Sequence, residues 1–154
     1  MIRTKDPFSI SISLRHPSCR PEHISEALSI EPRIAHAVGD KVAWSRAKWK
    51  WTSVYAQLQE GDHVSEFEGA LNRVHRFLED NADFWAAFTN GGGEAELTLN
   101  HTIYPQEEKG DKNFELYLAP NLLGSLSTHG IGLRVQGWQG IFKRKRKKSA
   151  TRQR

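Results

Sequence analysis

Polar and apolar residues alternate strictly near the start of this chain: Phe8, Ile10, Ile12 and Leu14 against Ser9, Ser11 and Ser13. Period two puts successive side chains on opposite faces, so the pattern predicts a strand with one apolar and one polar face. Pro21-Glu22-His23-Ile24 then opens a short helix. Proline suits the first helical position, where no amide hydrogen is needed, and Glu22 sits at the positive end of the helix dipole. Ile24, Ala27 and Leu28 fall on one side, and Pro32 stops the helix. Residues 33–48 show little period beyond a turn at Gly39-Asp40. Trp49 to Leu58 reads as a strand, with Trp49, Trp51, Ser53 and Tyr55 on one face and Lys50, Thr52, Val54 and Ala56 on the other.

A long helix follows, capped by Asp62 or Ser65, the latter in capping-box spacing with Glu68. Val64, Phe67, Leu71, Val74 and Leu78 recur at steps of three and four and form its apolar stripe. Asn81-Ala82-Asp83 interrupts it, Phe84 to Phe88 add a further apolar turn, and Gly91-Gly92-Gly93 ends it. Glu94 to Tyr104 alternates again, with Ala95, Leu97, Leu99, His101 and Ile103 on one face. A charged loop over residues 105–113 leads to Phe114, Leu116 and Leu118, which alternate with Glu115 and Tyr117 and predict the second arm of an antiparallel hairpin. Pro120 starts a leucine helix ending at Gly130, and Ile131 to Trp138 is the last strand.

Polar alternation on nearly every strand implies a sheet with helices on one face and an open second face. The expected fold is α+β: a two-layer sandwich of ferredoxin-like character, with an about five-stranded, mainly antiparallel sheet. Trp49, Trp51 and Tyr55 are expected in the core beneath the long helix, because large aromatics dominate burial. If they point outward instead, the open face is a partner or dimer surface. Tyr104, Tyr117 and Trp138 fall on polar strand faces and are candidates for that surface, for a protein partner or a second copy of the chain.

Several of these residues carry a family likeness. Pro21, Glu22 and Ile24 at a helix start, Leu28-Ser29-Ile30-Glu31-Pro32, Gly39-Asp40, Trp51 with Ser53, and the closing run from Phe114 to Val135 resemble the bacterial domain-of-unknown-function family 4279 over residues 8–138. The resemblance implies an α+β fold and a bacterial cytoplasmic setting. It transfers no catalytic residue.

Charge divides the chain in two. It carries 22 Lys and Arg against 18 Asp and Glu, yet eight of the cations lie in residues 143–154: Lys143, Arg144, Lys145, Arg146, Lys147, Lys148, Arg152 and Arg154. Without them the balance is acidic. The expected organisation is one domain over residues 1–140 and a basic tail over 141–154. Three readings of the tail stand: a disordered, solvating terminus, a nonspecific contact with RNA, DNA or acidic lipid, or docking on an acidic surface. No run approaches the ~18 apolar residues of a membrane span, and the N-terminus lacks an apolar signal region, so a cytoplasmic protein is expected.

Chemistry-bearing motifs are sparse. None of the seven histidines sits three or four residues from another, and His23 with Glu26 offers only two ligands, so neither a metal site nor a cofactor is expected. His101 falls on an apolar strand face, where a structural role outweighs a catalytic one. Cys19 lies beside Arg20 and near a helix start, the conditions that activate a thiol. Gly124-Ser125 lacks the context of a nucleophile elbow. The functional expectation is a noncatalytic binding or interaction domain, with a nucleic-acid-associated protein acting through its tail, or a small enzyme with an unrecognised site, as alternatives.

Overall fold

The computed structural model describes residues 7–103 and 116–139. The elements are β1 (Phe8–His16), α1 (Pro21–Leu28), β2 (Ile34–His36), β3 (Thr52–Gly61), a single 3-10 turn (Val64–Glu66), α2 (Phe67–Asp80), α3 (Ala82–Asn90), β4 (Glu94–Ile103), α4 (Pro120–Thr128) and β5 (Ile131–Gln139). Five strands form one sheet in the order β2-β3-β1-β4-β5. All neighbours are antiparallel except β4 and β5, which run parallel. The helices lie on one side of the sheet, as the α+β expectation requires.

Strand β1 is the spine. Its apolar set Phe8, Ile10, Ile12 and Leu14 is buried and meets Leu97 and Leu99 of β4, Val54 and Ala56 of β3, and the helices above. From α1 come Ile24 and Leu28; from α2, Ala70, Leu71, Val74 and Leu78; from α3, Trp85 and Phe88; from α4, Leu122 and Leu126. Trp85 is 1% exposed and donates its indole N–H to the Leu78 carbonyl at 3.1 Å, which ties α3 back to α2. Ala27, expected to face inward with Ile24 and Leu28, is exposed.

Four local expectations are corrected. First, β3 buries Thr52, Val54 and Ala56, so Trp51 and Tyr55 lie half-buried on the opposite, helix-free face and Trp49 precedes the strand. The cause is register: Leu14 pairs with Val54 and Ile12 with Ala56, and antiparallel partners share a face. Second, α2 itself begins at Phe67, later than the proposed caps, and its N-cap position, Glu66, makes no side-chain cap bond. The Glu66 carboxylate accepts the amides of Asp62 at 3.1 Å and His63 at 3.2 Å, and the chain enters α2 through the 3-10 turn. Third, residues 116–119 belong to no strand, while Phe114 and Glu115 lie outside the described residues. Both ladders of β4 are occupied, by β1 and by β5, so a hairpin partner has no edge to join. Leu116 and Leu118 instead pack half-buried against the core. Fourth, the fifth strand is β2, three residues on the edge of β3.

Between β2 and β3 the chain makes a protruding hairpin over residues 37–50. Lys41 and Lys48 form an antiparallel bridge, and Val42 donates to the Ala47 carbonyl at 3.0 Å beneath the tip. At the hairpin base Gly39 (φ +86°) and Asp40 together oppose Trp49, a bulge that requires the left-handed conformation glycine adopts cheaply. Val38 donates to the buried Thr52 hydroxyl at 3.1 Å, anchoring the hairpin to β3.

Candidate functional site: the helix-free sheet face

Alternation that buries one face of β1 delivers its serines to the other. Cross-strand pairing then assembles polar rows: Ser11 beside Thr98 beside Arg134, and Ser9 beside Asn100 beside Gln136. Ser13 pairs with Glu96 on one side and Tyr55 on the other. These nine side chains line a shallow groove of about 530 Å³ across β3, β1, β4 and β5.

Two features distinguish the groove from a merely solvated surface. Ser11 is 1% exposed, and its hydroxyl has no hydrogen-bond partner among the described residues. A buried polar group without a partner is uncommon, because desolvation costs what the missing bond would have returned. Beside it Arg134 grips Glu96 with a two-pronged contact, Nε to one carboxylate oxygen at 2.7 Å and a second guanidinium nitrogen to the other at 3.2 Å. The Arg134 hydrogen bond holds the Glu96 carboxyl below the usual range and raises the guanidinium in turn.

Aromatic residues edge the same face toward β2. The Arg15 guanidinium lies 5.2 Å from the Trp51 ring centre, in cation–π range. His36 and Trp49 stack at 4.5 Å with planes 17° apart. Of the aromatics proposed for a partner surface, Tyr117 is exposed but stands over a cleft between α2 and α4 rather than on the sheet. Trp138 pairs through its backbone with Thr102 in the β4–β5 ladder. Tyr104 lies outside the described residues, as do all eight tail cations, Lys143 to Arg154.

The other candidates resolve into structural roles. Burial raises the Cys19 thiol above its ordinary value, and Arg20 pairs with Glu22 at 3.6 Å instead of activating it. His16 is buried and accepts the amides of Ser18 at 3.1 Å and Cys19 at 2.8 Å on Nδ1; burial depresses its pKa. His101 sits half-buried on the helix side, opposite Phe8.

A Ser–Glu–His cluster, invisible in the sequence, joins α2 and α4. Ser125 donates to Glu79, and His129 Nε2 lies 3.3 Å from the same carboxylate oxygen. The carboxylate sits between the two, so the imidazole is bonded to the acid and not to the hydroxyl. A carboxylate held below its usual range is a weak base for the Ser125 hydroxyl, so the cluster works as a clamp. Among the described residues no three His, Cys, Asp or Glu side chains gather as metal ligands, and no helix is long and apolar enough to cross a membrane.

Local sequence pattern points to the aromatic strand and the tail and does not reveal the groove, because Ser11, Thr98 and Arg134 come from three separated segments. The signal was present in the period-two serines of β1, which a solvated strand and a polar site share. No family model matches the chain, and comparison with curated proteins and with solved structures finds no match either.

Proposed function

We propose that this chain is a noncatalytic binding domain whose contact surface is the helix-free sheet face, with a polar, hydrogen-bonding ligand or protein segment in the groove. The observation that carries the reading is the Ser11 hydroxyl, 1% exposed at the groove floor with no partner among the described residues. A ligand that displaces the side chains covering it would complete its hydrogen bonding. Serine, threonine, asparagine and glutamine around it offer both donors and acceptors. The ionic grip of Arg134 on Glu96 favours binding over catalysis, since a carboxyl held below its usual range is a poor proton carrier near neutral pH. A bacterial cytoplasmic setting accompanies the proposal through the family resemblance.

The test is a set of amide NMR titrations with three defined probes, maltotriose, a Ser-Asn-Gly-Ser peptide and increasing concentrations of the protein itself. Shift changes clustered on Ser11, Thr98, Asn100 and Gln136 with any one of them are expected. No response to all three, or a response confined to the helix layer, overturns the reading.

The second reading, a polyanion contact through residues 143–154, rests on eight cations in twelve residues. It predicts binding to nucleic acid that weakens steeply with salt and disappears when the tail is removed.

A further inference from the structure

The hairpin over residues 37–50 violates two local rules at once. Trp44 stands at its tip fully exposed, with φ +60°. A bulky residue rarely takes the left-handed conformation, and a lone indole in water forgoes the burial that large aromatics provide. Lower on the hairpin, Lys41 and Lys48 occupy directly opposed positions in the bridge, where like charges destabilise. Arg46 and Lys50 add two more exposed cations. Among the described residues none of the four meets a carboxylate, and the hairpin's one acid, Asp40, is occupied in accepting the Ala37 amide at 3.0 Å. Local rules broken together without internal compensation mark functional sites, where a partner supplies what the fold withholds.

The hairpin is also built to hold its shape. Ser45 donates to the Val42 carbonyl at 3.2 Å, and the Ser45 hydroxyl accepts the Ala47 amide at 3.0 Å, so the tip is tied internally. The bulge opposite Trp49, the Trp49–His36 stack and the Thr52 hydroxyl fix the base. Ring and cations are therefore presented before any ligand arrives, which reduces the ordering cost of binding.

We propose that this hairpin binds single-stranded nucleic acid, with Trp44 stacking on a base and Lys41, Arg46, Lys48 and Lys50 contacting the flanking phosphates. Aromatic rings interleaved with cations are the chemistry by which single strands are held without sequence preference. A phosphate between Lys41 and Lys48 converts their mutual repulsion into two attractive contacts. Charge complementarity favours this occupant over a lipid surface: Trp44 is flanked by Ala43 and Ser45 with Arg46 next, so the tip offers one ring for stacking and no apolar patch for insertion. A duplex hides its base faces, so a single strand is preferred. The site is separate from the groove and does not depend on it.

The experiment uses the full chain with its tail, a fluorescein-labelled ten-nucleotide oligouridylate and the corresponding duplex, read by anisotropy. Trp44→Ala is expected to weaken oligouridylate binding about tenfold, the scale of one lost base stack, while Trp44→Phe retains most of the affinity. Lys41→Gln with Lys48→Gln is expected to weaken binding further and to flatten its salt dependence. Full exposure of Trp44 means that neither variant at that position should lower the thermal midpoint appreciably. Thr98→Val, in the sheet groove, leaves oligonucleotide binding unchanged, so loss of this inference and loss of the groove reading are told apart. Equal affinity of wild type and Trp44→Ala overturns the proposal and leaves polyanion binding to the tail. A Trp44→Ala defect seen only with phosphatidylserine vesicles, or only with the duplex, overturns it as well.

Discussion

Ser125 of α4 donates its hydroxyl to Glu79 of α2, a residue 46 positions earlier in the chain. His129, just past the end of α4, reaches the same oxygen at 3.3 Å. One carboxylate thus fastens the last helix to the long one. Its hydrogen bonds from Ser125 and then His129 hold the Glu79 carboxyl below the usual range. A carboxyl depressed in the folded state contributes stability that is complete above its ordinary unfolded value and is lost as pH falls through the folded value. Glu79→Gln should therefore be less stable than wild type at pH 7, and the difference should be smaller at pH 3. Urea unfolding at the two pH values checks this. An equal difference at both would show that the carboxylate charge plays no part.

Two glycines predict opposite signs. Gly124 lies within α4, and a Cβ there would meet nothing within 4 Å. Gly124→Ala should stabilise by about 0.5–1 kcal/mol through reduced backbone entropy of the unfolded chain. At Gly93, a Cβ would come within 2.6 Å of the Phe88 carbonyl oxygen and 2.5 Å of its ring. Gly93→Ala should destabilise by about 1–3 kcal/mol, the range for overpacking. Thermal or urea midpoints of the pair settle both, and a common sign would count against the packing described around α3 and β4.

Trp85 fills the core between α2 and α3 and satisfies the Leu78 carbonyl. Trp85→Phe keeps most of the apolar volume but strands that acceptor, at an expected cost of about 1–3 kcal/mol. Trp85→Ala should cost about 3–5 kcal/mol through cavity formation. Urea titrations in which the phenylalanine variant matched wild type would show that the hydrogen bond contributes nothing.

Ser11 offers a test in which stability and binding move apart. Removing a buried hydroxyl without a partner should leave Ser11→Ala as stable as wild type or about 1 kcal/mol more stable. The same change should weaken any ligand of the groove. Chemical denaturation paired with the NMR titration reads both effects, and a clear loss of stability would mean that Ser11 is bonded within the fold.

Buried His16 supplies a second acid-sensitive contact. Its pKa is depressed by burial, so the unfolded chain takes up a proton more readily than the folded one. Stability should therefore fall as pH drops through the ordinary histidine range, and His16→Gln should remove that slope between about pH 7 and pH 5 while costing stability at neutral pH. Unfolding midpoints across that interval, compared for the two proteins, provide the measurement.

Much of the fold was legible in local pattern. The period-two runs of Phe8 to Leu14 and Ala95 to Ile103 are strands, Pro21 and Pro120 open helices, and Asn81 and Gly91 break or end them, all through interactions within a few residues. What stayed hidden depends on partners distant in sequence. Either face of the Trp49 to Leu58 run could have been buried. The choice fell to Val54 and Ala56 because pairing with β1 placed them beside Leu14 and Ile12. Leu116 and Leu118 alternate like a strand, yet β4 had no free ladder left once β1 and β5 had taken both edges. The candidate sites divide in the same way. Cations interleaved with Trp44, Trp49 and Trp51 can be read directly in one segment, but that Trp44 is wholly exposed and left-handed is a property of the folded hairpin. The groove of Ser11, Thr98 and Arg134 exists only after three strands align. By itself the sequence determined where backbone hydrogen bonds run locally and which faces are polar. Tertiary structure alone decided which of two competing faces lost its water and which polar side chains met, because burial and cross-strand register are settled by segments far apart in the chain.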